Sequence, residues 1–180
     1  MMTLPKMHFE NRILQSLIFL LRILFGVGWL LAGVTKITEK HWFSEPGVFI
    51  EKYLLTALEK SNVPEFYKHF IEQTALDHVL FFNYTIPIAQ IIVGICLIVG
   101  FMIIPSVFIC LFMHVNFILS GNMNLISLTL YTSAFGILLF IERSYVFSVD
   151  RYFGIDKKFS LKKVRMVEPI IQKELIKKTS

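Results

Sequence analysis

Arg22, Lys36, Gln90 and His114 stand inside, or at the edge of, long apolar runs. A polar side chain is expensive there and is kept when it has a partner or lines a cavity. An arginine and a lysine can hold an anion or a carbonyl oxygen, and a glutamine can bridge such groups. A histidine can donate, accept or exchange a proton near neutral pH. The segment LFMHVNFILSGNMNLISL adds Asn116, Asn122 and Asn124 to His114 within a strongly apolar stretch. Metal chemistry is not expected: there is no Cys-x-x-Cys, no His-x-x-x-His pair within a run and no carboxylate cluster. No glycine loop suits a phosphate and no nucleophile elbow is present. Cys96 and Cys110 fall in separate apolar runs and read as small packing residues.

The elements that must position these residues follow from composition. The chain has 180 residues, 55% of them apolar, with a net charge of +5. Its mean hydropathy is +0.64. A soluble domain is typically about 45–50% apolar. Four apolar runs stand out, and a spanning helix needs about 17–25 such residues. Strand-like alternation is absent, and helices satisfy their own backbone in hydrocarbon. The expectation is an all-α, polytopic membrane protein. Its four-helix bundle takes helices near 13–36, 79–101, 103–120 and 125–147 within a domain of residues 1–156. The first run is too long for the apolar core of a signal peptide, about 7–15 residues, and reads as a retained helix.

Charge sets the expected orientation. Residues 143–180 hold ten Lys or Arg against four acids, whereas the connection 37–77 holds four Lys against seven acids. Cytoplasmic flanks are enriched in Lys and Arg. Both termini are therefore expected in the cytoplasm, with residues 157–180 as a basic tail and the connection 37–77 outside. The tail reads as a membrane flank, with no nucleic-acid partner. The connection shows helical periodicity in two pieces, expected as short amphipathic helices that either lie on the surface or close the bundle as a lid. Asn62 and Glu65 are spaced as a helix N-cap and its reciprocal partner.

Helical spacing places Arg22, Gly26, Trp29, Gly33 and Lys36 on one stripe, and Asn83, Pro87, Gln90 and Gly94 on one face. Gln90 is the expected partner of Arg22. Either Gln90 and backbone carbonyls satisfy Arg22, or the site leaves room for an anion or a quinone carbonyl. Lys36 is expected to snorkel to the outer interface beside Trp42. His114 reads either as an interhelical hydrogen-bond residue or as part of an internal polar pocket with Arg22 and Gln90, with Lys36, Trp42 and Asn124 towards its mouth. Asn116 points away from His114 and is expected to pair with the fourth helix through Thr129, Thr132 or Ser133.

Several segments resemble one family. LRILFGVGWLLAGVTKITEKHWF, at 21–43, resembles the first helix of the DoxX/DoxD family in its Arg, spaced glycines, Gly-x-x-Lys and following Trp. IPIAQIIVGICLIVGFMIIPS, at 86–106, resembles the second helix, and MHVNFILSGNMNLISLTL, at 113–130, resembles the Asn-Phe, Ser-Gly and Asn signature. VFSVDRYFGID resembles the closing segment. The resemblance implies a four-helix membrane protein and a role as the membrane subunit of a thiosulfate:quinone type oxidoreductase. It implies a quinone as cofactor, and His114 and Arg22 as catalytic candidates. Gln90, Lys36, Trp42 and Asn124 become quinone- or substrate-binding candidates. A lipid bilayer, a partner subunit or second copy, and a small anion are the expected partners. Many members of the family carry Glu where this chain has Gln90, which removes a counter-ion for Arg22. The alternative is a non-enzymatic membrane protein that binds or carries a small anion, lipid or partner subunit.

Overall fold

The computed structural model describes residues 4–122, 125–155 and 157, and side chains from residue 12 onward. All the elements among them are helical. They are α1 (Leu4–Thr38), α2 (Val48–Glu59), α3 (Glu65–Phe70), α4 (Val79–Val99), α5 (Ile103–Leu119), α6 (Leu125–Leu139), α7 (Ile141–Ser144) and α8 (Val149–Tyr152). A single π-helical turn, Ile71–Ala75, extends α3. Two helices are long and apolar enough to cross a membrane, Arg12–Thr38 of α1 and Val79–Val99 of α4. α5 and α6 are apolar but shorter, at 17 and 15 residues.

α1 and α4 run antiparallel, and glycines set their distance. A Cβ built on Gly94 would meet Leu30 N at 2.6 Å and Leu30 Cα at 2.8 Å. One built on Gly33 would meet Pro87 O at 2.8 Å, and one on Gly26 would meet Gly94 O at 2.9 Å. Backbone therefore touches backbone along the stripe, which only glycine permits. α5 and α6 complete the bundle around a core that includes Phe25, Trp29, Leu97, Val107 and Ile137.

The segment between α1 and α4 folds over one end of the bundle as a lid. It has its own apolar core of Trp42, Ile50, Leu54, Ala57, Val63, Tyr67, Ile71 and Ala75. Buried Asn83 of α4 fastens it: Nδ2 donates to the Trp42 carbonyl at 2.7 Å, and Oδ1 accepts from Gly47 N at 3.2 Å. The expected cap at Asn62 does not form. Pro64 occupies the N-cap of α3, and Asn62 turns instead to the Gly121 carbonyl at 3.5 Å.

The far end of the bundle is closed by a carboxylate. Asp150 is buried, with Oδ1 accepting from Met102 N at 2.8 Å and Oδ2 from Ile103 N at 2.9 Å. It thereby caps the first turn of α5 and complements that helix dipole. Gly100, at φ 72°, makes the preceding turn, and its carbonyl accepts from Asp150 N at 2.9 Å.

Gly94→Ala should lower the melting temperature in detergent, because the new methyl meets main chain that cannot rotate away; overpacking of this kind costs roughly 1–3 kcal/mol. Gly28→Ala, with nothing within 4 Å of its built Cβ, should leave stability equal or slightly higher. Equal melting temperatures for Gly94→Ala and the parent protein would refute the close-contact account.

Candidate functional site

Arg22 is completely buried, but not beside Gln90. Its NH1 donates to the carbonyls of Ser144 at 2.5 Å and Val146 at 3.4 Å, and NH2 donates to Phe147 O at 3.2 Å. The guanidinium lies 5.2 Å from the centre of the Phe19 ring. A Cβ on Gly100 would sit 2.8 Å from Arg22 NH1, which fixes the depth of Arg22 at the α4–α5 turn. Gln90 instead packs at Gly33, about three turns further towards the lid. The expected Arg22–Gln90 pair is thus corrected. α1 continues past the far ends of α4 and α5, so a residue in the middle of α1 lies at the rim of the bundle. There, carbonyls at and after the end of α7 take the guanidinium, and Asp150 nearby adds charge complementarity.

His114 is also buried, and its Nε2–H donates to the Ser127 carbonyl of α6 at 2.9 Å. The rings of Tyr131 and Trp29 stand edge-on to it, with centroids at 4.6 and 6.4 Å. The gap lined by Phe25, Trp29, Cys110, His114, Leu130 and Ala134 is too narrow for a water molecule. His114 and Arg22 are therefore not brought into one polar pocket. The histidine ties α5 to α6, and the aromatic rings fill the space a pocket would need.

Lys36 is where the sequence candidates converge. Its side chain does not run outward along α1. It folds back, and Nζ donates to the Ala32 carbonyl at 3.2 Å. The ammonium lies 5.8 Å from the centre of the Trp42 ring and 5.6 Å from that of Phe117. Each face offers cation–π attraction. Among the described residues no carboxylate pairs with it. Gln90, 1% exposed, packs one turn away at Gly33, and Trp29 lies one turn beyond. Gln90 Oε1, Trp29 Nε1 and Trp42 Nε1 are buried without a hydrogen-bond partner, as is Arg22 Nε at the far end. Buried polar atoms nearly always find one, so each of these is an open polar valence. Lys36 is thus brought against Trp42 beneath the lid, with Gln90 packed at Gly33 one turn away; Trp29 stands with Phe25 and His114 in the bundle core, and Arg22 lies at the far end. Asn124 lies outside the described residues.

A polar latch holds the lid to the end of α5. Ser120 Oγ donates to Phe117 O at 2.8 Å, so Tyr53 OH donates to Ser120 Oγ at 2.5 Å. Asn122 Nδ2 donates to the same phenol oxygen. Lys60 Nζ donates to Asn122 Oδ1 at 2.9 Å. Asn122 is therefore more than turn chemistry. Asn116 also faces the lid: Tyr67 OH donates to its carbonyl at 3.1 Å and to its Oδ1 at 3.2 Å. The expected pairing with α6 does not occur, because Thr129, Thr132 and Ser133 return their hydroxyls to carbonyls of their own helix.

Compared with known proteins, the chain matches no family model, no curated protein and no solved structure. Among the described residues no group of His, Cys, Asp and Glu is placed to hold a metal ion. Sequence reasoning missed Asp150 and Tyr53 as positioning residues and Phe117 as a wall of the Lys36 site. A lone acid two residues after Ser148 in an apolar segment was a legible signal for Asp150, since Ser148 caps α8 by accepting from Arg151 N at 3.1 Å. Tyr53 carries no such signal, because its partner lies 67 residues away.

Two outcomes test these knots. Asp150→Ala leaves two helix-end N–H groups without acceptors and should cost roughly 2–4 kcal/mol in unfolding free energy. A change in denaturation midpoint within error would exclude the capping role. Burial raises the phenol pKa of Tyr53, and that of Tyr67 to about 12, where the Tyr53 charge adds to the effect. The protonated phenols favour the folded state, so this stabilisation is complete below about pH 10 and is lost as pH rises towards 12. Phenolate absorbance should show Tyr67 ionising last, and Tyr67→Phe should remove that late step.

Proposed function

We propose that the protein is a four-span integral membrane protein of DoxX type that holds a small ligand, foremost an anion, at Lys36 beneath an outer lid. One observation carries the ligand reading: an ammonium is folded inward between aromatic rings, with no carboxylate partner among the described residues. A cation left in that setting gains most from an anion brought to it.

Support for four spans comes from the surface. Each of the four long helices exposes large apolar residues: Leu17, Leu20 and Leu24 on α1, Ile88, Ile92 and Ile95 on α4, Phe108 and Phe112 on α5, and Leu125, Leu128 and Leu139 on α6. In the two longest helices only 33% of the most apolar window is buried, so most of each faces outward, as a lipid-facing helix does. α5 covers about 26 Å, and α6 with α7 about 30 Å, against a hydrocarbon core of about 30 Å. The charge split assigns the lid to the outside and both termini to the cytoplasm.

A quinone-linked oxidoreductase subunit is the second reading. The observation favouring it is the indole N–H of Trp42 beside Lys36, a donor without an acceptor of the kind a ring carbonyl needs. Packing opposes it with the lid closed, since Trp42 and Phe117 already occupy the faces around Lys36. As they stand, the residues do not fit a quinone ring, and no electron-transfer step follows from them. A partner subunit would have to supply the redox centre in that reading.

Mass spectrometry of small molecules co-purifying with the protein, together with its tryptophan emission, discriminates the two readings. Trp42 stands against Lys36, so a ligand bound there should alter emission saturably. Lys36→Met should abolish the effect. An emission change that survives Lys36→Met would place the ligand elsewhere. Single cysteines in a background lacking Cys96 and Cys110 test the topology: a cysteine at Glu59 should label from outside and one at Arg151 from inside. The reverse pattern overturns the orientation.

A further inference from the structure

We infer that α3 seats the lid in the membrane: its Phe66–Phe70 edge lies among the phospholipids of the outer leaflet, as a continuation of the lipid-facing side of α4. This rests on the reading of the long helices as membrane spans. A surface helix and a lid were the two expectations for this segment, and α3 has a face for each. Tyr67 and Ile71 turn into the lid core and are buried. Glu65, Lys68, His69 and Glu72 form a charged side, where Lys68 pairs with Glu65 at 3.1 Å and His69 approaches Glu72 at 4.0 Å. Phe66 and Phe70, four residues apart and so on one edge of the helix, belong to neither face. They stay 65% and 36% exposed. An aromatic edge beside a charged one is the pattern of a helix lying in a membrane interface.

Two observations decide what covers that edge. The first is continuity. Rings follow one another from α3 onto α4 as Phe66, Tyr67, Phe70, Phe82 and Phe81, with successive centroids 6.4, 5.5, 6.4 and 5.4 Å apart. Phe81 is 61% exposed, and Ile88, Ile92 and Ile95 carry the same exposed apolar side along α4. The phase that wets α4 therefore reaches Phe66 without a break. The second is depth. α4 has 21 residues, a length of about 31 Å against a hydrocarbon core of about 30 Å. Its first turn, where Phe82 meets Phe70, therefore falls at the outer edge of the hydrocarbon. Exposed rings at that level are stable in lipid and a liability in water. The lid is fastened to α4 by Asn83 and to α5 by Tyr53 and Lys60. The leaflet holds it on a third side.

Spin labels on single cysteines read the surroundings of each position, in full-length protein lacking Cys96 and Cys110 and set in phospholipid nanodiscs. The label of Phe66→Cys should collide with oxygen and be shielded from a water-soluble nickel chelate. The label of His69→Cys should show the reverse. A label at position 66 open to the nickel chelate would overturn the inference. So would one closed to both reagents, since protein would then cover that edge; spin–spin broadening would identify the cover as a second copy. Ile92→Cys, midway along α4, separates this failure from failure of the membrane reading. Its label should meet oxygen alone, and nickel access at both 66 and 92 would sink the spans themselves. Hydrogen exchange reads the hold on the lid. Phe66→Ser should speed exchange of the lid amides, residues 48–75, about tenfold in nanodiscs and leave α5 unchanged. Loss of a ring that only faced water would change nothing, so equal lid exchange in Phe66→Ser and the parent protein would overturn the role of the leaflet in holding the lid.

Discussion

The approach of α1 to α4 is the constraint on which the rest depends. At Gly26, Gly33 and Gly94 the two helices meet through their main chains, with no room for even a methyl group. Close packing of small residues carries much of the association. The same contact brings Gln90 against Gly33, and it places Arg22 level with Gly100 at the α4–α5 turn. It therefore separates two polar groups that share a stripe in sequence, one at each end of the bundle.

Each end is then closed by polar groups that find main-chain partners. At the far end Arg22 gathers the carbonyls after α7, and Asp150 gathers the amides before α5. Both are charged groups at helix ends, where unpaired backbone groups and the helix dipole favour them. At the lid end Asn83, Tyr53, Tyr67 and Lys60 bond to turns and carbonyls. The lid bonds to α5 are partly exposed, and the lid has a core of its own, packed on Phe82 and Ile86 of α4 and Leu119 of α5. Such a unit opens at lower cost than the bundle does.

Between the two ends the polar account does not close. His114 is satisfied by Ser127 O and sealed among rings, so it acts as a strut. Gln90 Oε1 and the indole N–H groups of Trp29 and Trp42 are not satisfied in this way, and neither is Arg22 Nε.

The apolar runs, the glycine stripe, the helical lid segments and the buried face Asn83–Pro87–Gln90–Gly94 were legible in the sequence. They depend on periodicity and composition, which are local. That Lys36 meets Trp42 was legible too, because Trp42 follows it by only six residues; Gln90 was expected beside Arg22 and packs at Gly33 instead. The depth of Arg22 was not, since it depends on how far α1 overruns α4, and helix length alone does not set that stagger. The partner of Asn116 was not legible either. The hydroxyls of Thr129, Thr132 and Ser133 could be met within their own helix, and which element covered α5 was decided only by the docking of the lid. Asp150 became a cap and His114 a strut for the same reason. A polar side chain buried in a bundle takes whichever unpaired backbone group lies within reach, and tertiary packing chooses that group.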